Sequence, residues 1–364
     1  MFELEPDDEL ALLAETARRF ARDARAPRAR EAEAARGVDA ETREAFGAIG
    51  LAGLELPEAW GGAGLGARAR VLVNEALGAA DPGAALALDP LGMALYAFDA
   101  PGGEAAGAEL ARPLLETEGA RAVLVRDREA ELVRDGPVVH GLVPWVPADR
   151  VDLLVVLGDE DAVAVTDGPG LRVETLPGAG LRASGASALR LEGAPVAASW
   201  GDAAGAVRAL ARARLAVAAL LLGVLHGAAE FARGYARERV AFGRPIAHHQ
   251  ALAFLLVDLR AAVDGARLLL HEAAWQADAR LPGAPAAAAA AFAQAVEAAR
   301  LVGPAAVQVL GGHGFMQDYP VEKALREARA LAALLGGLDA AREDAGRALC
   351  EAGAPVALSA GEPG

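Results

Sequence analysis

Hydrophobic and polar positions follow three different patterns along the 364-residue chain. Residues 1–118 carry apolar side chains at helical spacing, most clearly in 68–77 and 92–115. Residues 119–199 contain short β-rich runs separated by charged or Gly/Pro turns. Residues 200–364 return to long helical runs. The pattern predicts an α+β, mainly α, fold: an N-terminal helical domain, a middle β-barrel-like domain and a C-terminal four-helix bundle.

Four long helical runs are predicted in the last region, at 203–239, 245–281, 285–310 and 320–335. The last three begin at a proline, where the missing N–H costs least. Short connections between long helices favour an antiparallel bundle.

Composition narrows the function classes. The net charge of −15 opposes binding to nucleic acid or an anionic membrane surface. The single cysteine, Cys350, excludes an internal disulfide or a cysteine-based zinc site, and the six histidines form no metal-ligand motif. The most apolar run, 215–225, is about half the length of a membrane span. We therefore expect a cytoplasmic protein with no metal site and no membrane span.

Two segments contain candidate chemistry. In 235–250, Arg239 offers a forked cation suited to a pyrophosphate, and Phe242 offers a flat apolar surface. In 308–323, three glycines within four positions would let the backbone approach a ligand. Taken alone, both segments are better explained as ordinary helix–helix corners, because glycine is common at helix ends.

Together, the two segments resemble the C-terminal domain of the acyl-CoA dehydrogenases, flavoproteins that oxidise the Cα–Cβ bond of acyl-CoA thioesters. Arg239-x-x-Phe242-Gly243-x-Pro245-Ile246 with Gln250 is similar to the family pattern R-x-x-F-G-x-x-I-x-x-x-Q. The second family pattern is matched by Gln308-x-x-Gly311-Gly312-x-Gly314-Phe315, followed by Tyr319 to Lys323. The resemblance extends to the helix–β–helix plan and covers nearly the whole chain.

The resemblance implies that these segments hold the FAD of a neighbouring subunit across a dimer interface. The residues implied to contact its pyrophosphate and adenine end are Arg239, Phe242, Gln250, Gln308, Gly311 and Gly312. Trp145 matches the tryptophan of the family's W-I-T/S flavin contact. Arg214 matches an arginine that lies near the substrate in the family.

The family's catalytic base has no counterpart in the sequence. The family abstracts the α-proton with a glutamate in a Y-E-G-T loop, where this chain has Leu335. Some members carry that glutamate on an earlier helix, where this chain has Ala213. Neither side chain can accept a proton.

The chain's own flavin and substrate contacts are also depleted. The family's T-E-P-x-A-G-S-D loop has no counterpart, and the chain runs directly through 121–126. Pro147 stands where the W-I-T/S contact supplies a hydroxyl and a backbone N–H. The resemblance thus favours a subunit that completes the FAD site of a catalytic partner, within a homo-oligomer or a heteromer.

Two alternatives stay open. The chain could be a self-sufficient FAD-dependent dehydrogenase that uses another acid, such as Asp339 or Glu327. It could also be an assembly protein without enzymatic function. In either case the acyl-CoA substrate is not identified by the sequence.

Overall fold

The computed structural model describes residues 5–351, and helices dominate on both sides of a middle β region. The first helix begins after Asp7, whose carboxylate accepts the N–H of Leu10 at 2.9 Å. The helices of the N-terminal region are α1 (Asp8–Phe20), α2 (Ala29–Ala35), α3 (Ala40–Ala48), α4 (Ala67–Ala80), α5 (Pro82–Leu88) and α6 (Gly103–Ala106).

The predicted helix over 68–77 is confirmed within α4, but the helix over 92–115 was wrong. That stretch divides into a 3-10 segment (Gly92–Asp99), α6, a π-helical turn (Gly107–Ala111) and a second 3-10 segment (Arg112–Glu116). Gly102 adopts a left-handed φ of 79°, and Pro113 lacks the N–H that a continuing helix needs. Local breakers therefore override the apolar periodicity.

The middle region forms two four-stranded sheets and not a closed barrel, which corrects the barrel-like prediction. Their strand orders are β1-β4-β5-β8 and β2-β3-β7-β6. The strands are β1 (Ala122–Arg126), β2 (Glu131–Asp135), β3 (Val138–Val146), β4 (Leu153–Leu157), β5 (Ala162–Thr166), β6 (Leu171–Thr175), β7 (Ser187–Pro195) and β8 (Ala198–Trp200).

The first sheet is buried on both faces. Val125 and Leu154 pack with Leu189 of the second sheet, whereas Leu124 and Leu153 join the helical core. Because both faces are covered, β1 and β4 read as continuous apolar runs, and they pair in parallel. The edge strands of the two sheets stay separate, so the sheets form layers.

Up to residue 351, the C-terminal region contains five helices, one more than predicted. They are α7 (Ala203–Glu238), α8 (Gln250–Asp278), α9 (Ala284–Leu310), α10 (Val321–Leu331) and α11 (Gly337–Glu351), with a short hairpin of β9 (Val240–Ala241) and β10 (Arg244–Pro245) after α7. Pro245 belongs to this hairpin and does not start α8.

The central element is α7, which packs between α4 and α9. At its crossing with α4, a Cβ on Gly78 would lie 2.3 Å from the carbonyl of Leu220, and one on Gly223 would lie 2.2 Å from that of Glu75. Small residues on both helices thus permit the close approach. By length and composition α7 could cross a membrane, but 78% of its apolar window is buried, as in the core helix of a globular fold.

Candidate functional site

The hairpin after α7 presents Arg239 and Phe242 at the surface. The N–H of Ile246 donates to the carbonyl of Arg239 at 2.8 Å and closes the turn. Phe242 has a left-handed φ of 52°, which is unfavourable for a residue with a side chain. Its ring is 95% exposed, so it gains nothing from packing within this chain. A strained, exposed aromatic residue indicates a contact surface.

The glycine loop after α9 lies beside this hairpin. Gly311 has a φ of 58°, and a Cβ on Gly311 or Gly312 would meet nothing within 4 Å. The hydroxyl of Tyr235 and Nδ1 of His313 lie 2.9 Å apart and join the end of α7 to this loop. The backbone at Gly311 and Gly312 is therefore open to a ligand.

Six of the predicted cofactor-binding residues lie at exposed or half-buried positions on the segments around the buried cluster of Ala236, Ile246 and Leu310. We call these six residues the half-site surface: Arg239, Phe242, Gln250, Gln308, Gly311 and Gly312. Among residues 5–351, Arg239 has no ion-pair partner. An unpaired guanidinium, an exposed ring and open glycine backbone fit the pyrophosphate and adenine end of a dinucleotide.

The seventh predicted residue, Trp145, lies elsewhere. It is half-buried near the end of β3 and lines a cavity of about 510 Å³ together with Gly180, Leu325 and Ala333. Close by, the carbonyl of Pro147 already accepts from the Ser184 hydroxyl at 2.5 Å. This cavity keeps an aromatic face and space, but the Trp145–Pro147 segment offers no N–H at its proline, so the chain's own side fits a flavin only in part.

Both positions of the family base are buried and apolar. Leu335 and Ala213 are almost fully inaccessible. Leu335 has a left-handed φ of 57°, followed by positive φ at Gly336 and Gly337. The loop thus has a strained backbone at Leu335, and the leucine side chain cannot take part in proton transfer.

The two alternative acids are placed unfavourably for catalysis. Glu327 is buried, accepts the N–H of Leu181 at 2.7 Å and pairs with Lys323 at 2.5 Å. Burial raises the pKa of this carboxyl, which is committed to structural contacts. Asp339 is exposed in the first turn of α11. No three metal-ligating side chains cluster anywhere in the part of the chain described.

Arg214 lies in α7 and donates to Asp344 of α11 at 2.6 Å. Around it are two groups that sequence reasoning missed, Arg126 at the end of β1 and Glu129 just beyond. The three neighbours of Arg214 come from segments up to 218 positions apart (344 − 126) and carry no shared motif. No local sequence signal could have identified the cluster.

Comparison with known proteins identifies two domains. The model for the acyl-CoA dehydrogenase N-terminal domain matches residues 7–118, and that for the acyl-CoA dehydrogenase C-terminal domain matches residues 204–350. The 3-sulfinopropanoyl-CoA desulfinase of Paraburkholderia xenovorans is 30% identical over 90% of this chain and 92% of its own length.

Other matches are shorter or structural. The short-chain-specific acyl-CoA dehydrogenase of Clostridium acetobutylicum is 40% identical, but the alignment spans only 34% of this chain and 32% of that protein. A solved structure of a variant of the steroid ACAD named Tcur3481–Tcur3483 has a TM-score of 0.81 at 29% identity, covering 95% of this chain and 99% of that chain. On the evidence of both domains and a full-length relative, the chain belongs to the acyl-CoA dehydrogenase family of flavoproteins.

Proposed function

We propose that this chain is a non-catalytic subunit that completes the FAD site of a partner subunit, which oxidises an acyl-CoA thioester at Cα–Cβ. The observation that carries the proposal is the contrast between two parts of the chain. The half-site surface is exposed and keeps its arginine, phenylalanine and glycines, whereas both positions of the base are buried and apolar.

The half-site surface supplies what a partner's FAD would need at its diphosphate end. Arg239 would hold the pyrophosphate oxygens through a charged fork, and Phe242 would cover an adjacent ring. FAD supplies the redox chemistry when bound, and this chain's residues would bind and orient one end of it. Phe315, which is 79% exposed beside the glycine loop, extends the apolar surface toward the partner.

The names of two similar proteins bear on the substrate and on the assembly. The full-length relative is named for a CoA thioester substrate, and one similar structure carries a name that joins two components. These names support an acyl-CoA substrate and a two-component assembly as parts of the proposal. The substrate would be turned over on the partner, which must carry the glutamate that is missing here.

The test is co-purification of this chain with a dehydrogenase subunit that has an intact catalytic glutamate. The complex should hold fewer than one FAD per chain, and the isolated chain should hold little or none by flavin absorbance. Arg239→Ala should abolish flavin retention in the complex, because a hydrogen bond to a charged group contributes about 1.5–3 kcal/mol. Arg237→Ala, an exposed arginine in the last turn of α7, is the matched control, and Pro147→Thr should also change nothing.

Turnover gives an independent readout. The isolated chain should not dehydrogenate saturated acyl-CoAs with an artificial acceptor, because loss of a general base alone costs about two to four orders of magnitude. A stoichiometrically yellow homomer that turns over substrate and keeps FAD after Arg239→Ala would refute the proposal. That result would favour a self-sufficient flavoprotein.

A further inference from the structure

A separate cleft lies at the other end of α7, where the first sheet meets α7 and α11. Its volume is about 250 Å³. The charged residues that line it are Arg126, Arg128, Asp159, Arg214, Asp344, Arg347 and Glu351. Four of these seven side chains are cationic, in a chain whose net charge is −15.

Two of the four arginines are buried and incompletely paired. Arg214 is 2% exposed, and its Nε has no hydrogen-bond partner in the described chain; only its Nη2 reaches Asp344, at 2.6 Å. Arg126 is 7% exposed, and its nearest carboxylate oxygens lie 3.8 Å and 3.9 Å away, on Asp344 and Glu129. Both are ion-pair distances but neither is a hydrogen bond, and a buried charge without hydrogen bonds is costly.

The neighbouring carboxylates neutralise this pair only in part at neutral pH. Burial raises the pKa of Glu129 to about 7, although Arg126 and Arg214 act to lower it. Glu129 is then only about half ionised at pH 7, and Asp344 is shared between two guanidiniums. The interior of the cleft therefore carries an unsatisfied positive charge.

We propose that this cleft binds a small oxyanion, a carboxylate or phosphate group held between Arg126 and Arg214. Guanidinium forks match the oxygens of both groups. At about 30 Å³ for each water, the cleft has room for about eight waters, enough for phosphate or a short dicarboxylate. The inference concerns the isolated chain and does not depend on FAD or on a partner.

Two carboxylates within the cluster compete with such a ligand. Asp344 holds one nitrogen of Arg214, so removal of its charge should tighten anion binding. Glu129 faces Arg126 of β1, Asp127 of its own turn, Arg214 of α7 and the backbone of Gly336. When Glu129 ionises it becomes a second internal anion, and ligand affinity should fall as pH rises through about 7.

The test is calorimetric titration of the full chain with sodium malonate and, separately, sodium phosphate, at constant ionic strength set with chloride. We expect saturable binding at one site, and the stronger of the two probes distinguishes a carboxylate ligand from a phosphate ligand. Arg126→Gln should weaken binding at least about tenfold, the usual effect of losing a charged hydrogen bond. Arg134→Gln, an exposed arginine of β2 outside the cleft, is the matched control.

The opposite effect is expected for Asp344→Asn, which should strengthen anion binding. This second variant keeps the test decisive if Arg126→Gln does not fold. Glu129→Gln should remove the pH dependence of malonate binding between about pH 6 and pH 8. Absence of saturable binding of either probe below about 10 mM would overturn the proposal. Equal affinity in wild type, Arg126→Gln and Asp344→Asn would identify an adventitious ion only and would overturn it as well.

Discussion

Glu129 is a carboxyl whose protonation is governed by the fold, with consequences for stability. Its Oε1 is buried without a hydrogen-bond partner in the described chain, and burial raises its pKa from 4.5 to about 7. The folded chain thus retains a proton that the unfolded chain releases between these two values. The free energy of unfolding must therefore fall as pH rises from 4.5 to about 7. The stability lost across this range is not recovered at higher pH.

Glu129→Gln should stabilise the protein at pH 8 by up to about 3 kcal/mol, because about 1.4 kcal/mol corresponds to each pKa unit. Well below pH 4.5, where Glu129 is protonated in both the folded and the unfolded chain, the difference should disappear. Urea unfolding at both pH values measures this. Glu131→Gln, at an exposed site in β2, serves as control. An equal difference at both pH values would contradict the assignment.

Phe242 places stability and function in opposition at one residue. Its left-handed backbone disfavours any residue with a side chain, and its ring is too exposed to gain from packing. Phe242→Gly should therefore raise the free energy of unfolding by up to about 1 kcal/mol while lowering FAD retention in the complex. Val240→Gly, in the same hairpin without positive φ, should only destabilise. Unchanged flavin retention in Phe242→Gly would remove the ring from the half-site surface.

At the scale of elements, α4 obtains its N-terminal cap from a distant helix. Gly66 precedes α4 and has no side chain to cap it, and the carboxylate of Asp278, at the end of α8, accepts the N–H groups of Ala67 at 2.6 Å and Arg68 at 2.9 Å. A Cβ on Gly66 would lie 2.3 Å from that carboxylate. The cap therefore requires both residues.

Asp278→Ala should lower the free energy of unfolding by about 1–2 kcal/mol, the usual effect of losing a helix cap. Asp258→Ala, at an exposed position of the same helix, controls for loss of charge on α8. Thermal unfolding of both variants provides the measurement. If the two variants unfolded at the same temperature, the contact between Asp278 and α4 would contribute nothing to the stability of the fold.

Element types were predictable where a pattern extends over several turns, as in α4, α7 and α9. Boundaries were not, because single residues decide them: Pro245 joins a hairpin, Gly102 interrupts a helix, and the left-handed Leu335 separates α10 from α11. The half-site surface could be proposed from the sequence because its residues lie in two contiguous segments. The cluster of Arg126, Glu129 and Asp344 was not, because only folding brings these residues together.

At the scale of the whole molecule, the helical region leaves apolar side chains uncovered. Phe254 and Val257, one turn apart on α8, are both more than half exposed. A monomer gains nothing from such a surface, so we expect a dimer or a tetramer, homomeric or mixed. Light scattering at micromolar concentration measures this. Phe254→Asp should shift the protein toward monomer, whereas Leu12→Asp, also exposed but on α1, should not. A wild-type monomer would contradict the expectation.

The unbroken length of α7 has a consequence for how such a chain can change. Its 36 residues span about 54 Å. Arg214 lies in the N-terminal third of this helix, whereas Arg239 is the residue at its C-terminal cap. The helix contains no hinge and packs against α4 and α9. A substitution near Arg214 therefore alters the local charge without displacing Arg239. A chain built around such a helix can lose its own catalytic turnover and still complete the cofactor site of a catalytic partner subunit.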